Sequence, residues 1–114
     1  MFDEPKCAVI STAVAGEKEG EELARQLVDR NLAACVQMIP VRSVYRWKNA
    51  VQFDNECLLL AKTALNRVPA LQTFIREQHP YELPEIIVTP VTGGLAEYLD
   101  WICDETRVAP DSEQ

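Results

Sequence analysis

An α+β domain with the order β-α-β-β-α-β-α is what this sequence predicts, and three observations predict it. Two stretches with helical spacing separate β-leaning segments, a Lys48-Asn49 turn joins two long extended runs, and a short strand follows the second helix between Pro84 and Pro90. With right-handed crossovers the first six elements make a ferredoxin-like split βαβ arrangement (β-α-β-β-α-β), with both helices on one face of the sheet. The long hairpin is its distinguishing feature, and the last helix is an appendage.

Residues 6–14 are short, apolar and β-leaning, the pattern of a buried strand. Residues 17–32 place Leu23, Ala24, Leu27, Val28 and Leu32 at helical spacing. Glu17, Glu19, Glu21 and Glu22 crowd the first turn of that helix and Arg30 lies near its end, both favourable to the helix dipole. Residues 33–47 and 50–62 read as extended. Asn tolerates the left-handed backbone of a tight hairpin, so a two-residue loop pairs Arg46 with Val51 and Val44 with Phe53. Pro40 cannot donate to a ladder and must sit at a bulge or a sheet edge. Asn66 is the expected N-cap of a second helix, with Pro69 in its first turn and Pro80 ending it just after His79. Residues 85–89 are a strand with one end left unpaired by Pro90. After Gly93-Gly94, Leu95, Tyr98, Leu99 and Ile102 recur at i, i+3, i+4 and i+7, which is a third helix. The single domain spans 1–114, with an ordered core over 6–107 and a flexible tail over 108–114.

Eighteen acids against eleven bases give a net charge of -7, so nucleic acid and anionic membranes are not expected partners. No apolar run reaches the ~20 residues of a membrane helix, and the acidic start lacks a signal-peptide pattern, so the cytoplasm is expected. Cysteines at 7, 35, 57 and 103 are too far apart, with only one histidine, for a zinc finger. They read as reduced thiols, mostly buried.

Dimensions alone suggest assembly. A 13-residue arm at ~3.3 Å per residue spans about 43 Å. A globule of this length has a diameter of roughly 35 Å. The outer half of the hairpin therefore overhangs its own core, yet it carries Val44, Tyr45, Trp47, Val51 and Phe53. Aromatic side chains bury ~150–250 Å² each, so another copy of the chain is the expected cover. The alternative is a shorter hairpin curled onto its own helices.

Several segments carry a resemblance. These are Leu32-Ala33-Ala34-Cys35-Val36, Ser43-Val44-Tyr45-Arg46-Trp47, Lys62-Thr63, His79-Pro80-Tyr81-Glu82-Leu83-Pro84-Glu85-Ile86-Ile87, Pro90-Val91 and Tyr98-Leu99-Asp100-Trp101-Ile102. In this order they resemble the CutA divalent-cation-tolerance family from residue 7 to about 103. The resemblance implies a stable homotrimer of ferredoxin-like subunits and a link to tolerance of divalent metals such as copper. It also implies a likeness to PII signalling trimers, which bind small ligands between subunits. It implies no obligatory cofactor and no established reaction. Ser11 and Gln78 stand where some relatives carry Cys and a second His, which depletes a multi-ligand metal site.

The candidate metal ligands are Cys35, His79 and Glu85. Thiolate and imidazole both suit copper, although Cys35 between Ala34 and Val36 also reads as a small buried side chain. His79 at a helix end equally reads as a carbonyl cap. Lys62 and Tyr81, with His79 and Glu85, form the alternative PII-style cleft for a small ligand, and a passive trimeric scaffold is a third reading. Lys62 also reads as a strand-end cation with its head in water, and Glu85 as a partner for a neighbouring base. Tyr45, Trp47 and Trp101 are assigned to subunit packing with Val44 and Phe53. A Cys35–His79 nucleophile pair is the one enzyme reading, and with no oxyanion device in view the chain is not expected to be an enzyme.

Overall fold

Strand alternation decides which residues face the core. A computed structural model describes residues 4–108. Its strands are β1 (Cys7–Val14), β2 (Cys35–Trp47), β3 (Ala50–Ala64) and β4 (Ile87–Val91). Helix α1 (Glu17–Asp29) follows β1, α2 (Val68–Gln78) follows β3, and α3 (Ala96–Glu105) closes the order. The sheet runs β2-β3-β1-β4 with every pairing antiparallel, which is the ferredoxin-like order. On one face Ile10, Val14, Cys57, Leu59 and Ala61 pack against Leu23 and Leu27 of α1 and Leu71 and Ile75 of α2. The opposite face has no such cover: Leu58 and Leu60 are half-buried, and Ile39 and Ile87 are exposed. Helix α3 reaches it at the end where Tyr98 meets Lys62, and the loop after α2 reaches it toward the hairpin, where Tyr81 meets Glu56.

The hairpin has the expected register. Trp47 pairs with Ala50, Arg46 with Val51 and Val44 with Phe53. Lys48 and Asn49 both have positive φ, 49° and 66°, the type I′ geometry whose twist matches that of the flanking strands. Asn49 thus supplies a backbone shape that glycine adopts more often. Pro40 lies on β2 and Pro90 on β4, the two edge strands, so neither removes a donor from the interior of the sheet. The molecule measures 45 × 38 × 21 Å with a radius of gyration of 15.1 Å, above the ~13 Å of a compact chain of this length. The hairpin accounts for the excess. It does not curl onto its helices: Phe53 is 73% and Val44 63% exposed.

Several boundaries differ from the sequence expectation: β2 starts at Cys35 rather than at 33, and β3 runs on to Ala64 rather than 62. Helix α1 ends at Asp29 rather than Leu32, because Asn31 turns left-handed (φ 56°). The Leu32 N–H then bonds to the Leu27 carbonyl (2.9 Å) and the Asn31 N–H to that of Val28 (3.1 Å). This is a Schellman closure, and Leu32 is buried as the hydrophobic residue that follows it. Asn66 is not an N-cap. A 3-10 turn at Leu65–Arg67 precedes α2 and Arg67 takes the cap position, with no side-chain cap bond. Strand β4 spans Ile87–Val91 rather than 85–89, and Pro90 does not leave that end unpaired: it lies opposite Ala8, with Val91 opposite Cys7, because the register is set from Ser11↔Ile87 onward. Of the tail expectation over 108–114, all but Val108 lies outside the described residues.

Gly20 fixes how closely α1 approaches the sheet. A Cβ there would sit 2.7 Å from Cys57 Sγ and 3.3 Å from its Cβ. Alanine gains about 1 kcal/mol of helix propensity over glycine, but overpacking typically costs about 1–3 kcal/mol. Gly20→Ala is therefore expected to destabilise by roughly 1 kcal/mol, read as a lower denaturation midpoint. Shortening the opposing side chain in Gly20→Ala/Cys57→Ala is expected to recover most of that loss.

Candidate functional site

The base of the hairpin and the loop after α2 enclose a concavity of about 700 Å³. Alternation on β3 sends Asp54 and Glu56 to the same side, and the register sets Ser43 and Val41 opposite them. The loop contributes Tyr81, Glu82 and Glu85, and the hairpin adds Tyr45 and Trp47. Four carboxylates thus surround two phenols and an indole. The Tyr45 hydroxyl donates to Asp54 and the Tyr81 hydroxyl donates to Glu56 (3.0 Å). Lys48 approaches Glu82 at 3.8 Å in a solvent-exposed pair that contributes little. Glu85 makes no ion pair among the described residues.

His79 holds this loop in place. Its backbone N–H closes α2 on the Ile75 carbonyl (2.8 Å), but its ring caps no carbonyl of α2. The ring is buried instead, with Nδ1 accepting the Tyr81 N–H (3.2 Å). Nδ1 therefore carries the lone pair and Nε2 the proton, which is donated to the Ala13 carbonyl of β1 at 2.7 Å. The His79 and Tyr81 rings lie 4.7 Å apart, tilted. One side chain thereby ties the end of α2 to the sheet and aims Tyr81 at Glu56.

The sequence candidates fall into two groups. Tyr81, Glu85, Tyr45 and Trp47 share the concavity, and His79 stands behind it. Cys35 and Lys62 are register partners at the other end of the sheet, on the rung of Val9. Val9 and Ala13 are four residues apart on β1, about 13 Å at ~3.3 Å per residue. Cys35 also lies two strands from β1, so within one chain it does not meet His79. Lys62 Nζ donates to the Tyr98 hydroxyl (3.2 Å) above that ring and takes no part in the concavity. Trp101 stacks at 5.4 Å on Tyr98 and remains 39% exposed. Among the described residues no three His, Cys, Asp or Glu side chains converge to hold a metal ion.

Sequence reading missed Asp54, Glu56 and Glu82. The available signal was the i, i+2 spacing of Asp54 and Glu56 on a strand whose partner carries Tyr45. The Tyr81 phenol is pushed up from 10.0 to about 12, first by burial and then by the Glu56 hydrogen bond and charge, with Asp54 adding a little. The Tyr45 phenol is also raised, first by its bond to Asp54.

These features define a class, an α+β ferredoxin-like domain with one sheet face largely bare and an acidic, aromatic concavity under an overhanging hairpin. The chain belongs to the CutA family: the family described as CutA1 divalent ion tolerance protein matches residues 8–105. Divalent-cation tolerance protein CutA of Thermus thermophilus is 40% identical over 99 residues, covering 86% of this chain and 96% of that protein. Human Protein CutA is 44% identical over 97 residues, covering 84% of this chain and 54% of its own length. The chain thus spans about half the length of the mammalian relatives it matches. Among solved structures, CutA from Synechococcus elongatus superposes with a TM-score of 0.88 at 33% identity, covering 94% of this chain and 96% of that one. The PII-like protein CutA from Nostoc sp. in apo form gives 0.85 at 36% identity, covering 90% and 99%.

The raised Tyr81 pKa has a definite pH signature. The neutral phenol is favoured by folding, so its contribution is complete below about pH 10 and is lost as pH rises through about 12. In Glu56→Gln the ultraviolet titration of Tyr81 is expected to move back toward 10 without reaching it, because burial remains the largest cause. A Tyr81 titration unchanged by Glu56→Gln would remove the coupling.

Proposed function

We propose that this chain is a cytoplasmic, non-enzymatic homotrimer that binds divalent or soft metal ions, copper above all, in a metal-tolerance role. The observation that carries assembly is the exposed apolar hairpin end: Val44, Val51 and Phe53 are all more than half exposed. Burying apolar area of this kind is worth roughly 25 cal/mol per Å², and a second copy is the cover we infer. The number three is what the resemblance implies, and the family's description as a divalent ion tolerance protein supports the metal link. The net charge of -7 and the four carboxylates of the concavity favour cations over anions as cargo. Among the described residues no helix is long and apolar enough to cross a membrane.

In this reading Glu85 and half-buried Cys35 are the primary ligands, the thiolate selecting copper. His79 has both ring nitrogens engaged within the chain, so its part in a metal site requires release of the Ala13 or Tyr81 bond. Cys35 needs partners from neighbouring copies to complete its coordination. Sedimentation tests the assembly. The wild type is expected to run as a trimer, and Phe53→Glu, at a side chain bare in the single chain, as a folded monomer. A folded monomeric wild type would overturn the proposal.

The likeness to the PII-like CutA of Nostoc carries a second reading, a module holding a small organic ligand with Tyr81 at its wall and Lys62 supplied by a neighbouring copy. Copper titration separates the two. Cys35→Ala and Glu85→Gln are each expected to weaken binding at least tenfold, and His79→Ala to show whether the ring contributes. Unchanged isotherms in all three, beside a thermal shift with a nucleotide or dicarboxylate that Tyr81→Phe abolishes, would replace the first reading with the second.

A further inference from the structure

Two thiols that the proposed metal site does not use meet at the other end of the molecule. Cys7 opens β1 and Cys103 lies on α3, 96 residues apart in sequence, yet their sulfurs are 3.8 Å from each other. The Cys7 thiol is directed at the Leu99 carbonyl (3.6 Å) and that of Cys103 at the Lys6 carbonyl (3.9 Å). All four cysteines of the chain are free. Cys7 is 1% exposed, whereas Cys103 is half-buried and lines a cleft of about 720 Å³. Lys6, Arg67 and Arg107 line the same cleft, with Asp104 taking one bond from Arg107. In a chain of net charge -7 this is a local concentration of positive charge.

We propose that Cys7 and Cys103 form a thiol–disulfide exchange site, in which an anionic low-molecular-weight disulfide enters the basic cleft, reacts at Cys103 and is resolved by Cys7. The Cys103 thiolate attacks one sulfur of the small disulfide, whose S–S bond breaks and whose other half leaves as a thiolate. Cys7 then attacks the Cys103 sulfur of the mixed disulfide and releases the second thiolate. The two protons lost by the protein thiols pass to the two leaving groups. The protein is oxidised by two electrons, and the small disulfide is reduced to two thiols. The asymmetry of the pair fits these roles. Burial and the adjoining Cys103 push the Cys7 thiol up to about 11, so it stays protonated while the accessible partner reacts first. From 3.8 Å the sulfurs need to close by about 1.8 Å to reach bonding distance.

The test uses the full chain in a Cys35→Ser background, reduced and then incubated with oxidised glutathione. Products are read by intact mass and by peptide mapping. Loss of two hydrogens, a peptide linking Cys7 to Cys103 and a thermal midpoint raised by several degrees are expected. Cys7→Ser should stop at one glutathione on Cys103, and Cys103→Ser should form neither adduct nor link. A glutathione adduct that persists on Cys103 while Cys7 stays free, or a Cys103 that does not react, would overturn the proposal. The linked peptide in the Cys35→Ser protein decides the matter even if Cys7→Ser does not fold.

Discussion

Everything distinctive here depends on the register of one hairpin. Thirteen consecutive pairs join β2 to β3, and a two-residue turn with both residues left-handed fixes every pair. A slip of one residue would carry Asp54 and Glu56 away from the concavity and bring Asn55 and Phe53 into it. It would also remove Cys57, Leu59 and Ala61 from beneath the helices. The same alternation therefore builds the core at one end of the strands and the acidic site near the other. The short turn makes the two inseparable.

The concavity is built without direct support from either core helix. Its walls are the projecting strands and the loop after α2, and the link between them is the buried His79 ring. The imidazole spans two elements that the backbone ladder does not connect. Both its nitrogens are engaged within the chain, which separates its geometry from that of the exposed Glu85 carboxylate. The Cys35 thiol and the carboxylates around Tyr81 are likewise set apart along the sheet.

Much of this was legible in the sequence, because periodicity reports local environment. The hairpin pairing, the edge position of Pro40, the two-helix face and the overhang all follow from alternation, turn residues and chain length. Asn66 misled because a cap preference is weak beside a 3-10 turn that starts one residue earlier. Leu32 had the right burial for the wrong reason, packing after a left-handed turn instead of within the helix. The site was harder to read. Whether Cys35 meets His79 depends on strand order and rung, and no spacing along the chain encodes that. The nearness of Cys7 to Cys103 belongs to the same kind of fact, since a strand and a helix at opposite ends of the sequence share one face.

The two prolines on the outermost strands have a further consequence. An open sheet ends in rows of free amide and carbonyl groups, which act as templates for endless ribbon growth. Pro40 and Pro90 each remove a donor from one such border. Stacking against the bare side of the sheet stays possible, while extension strand by strand meets a gap at either margin. A protein with this much sticky surface is thereby steered toward finite bodies and away from fibres.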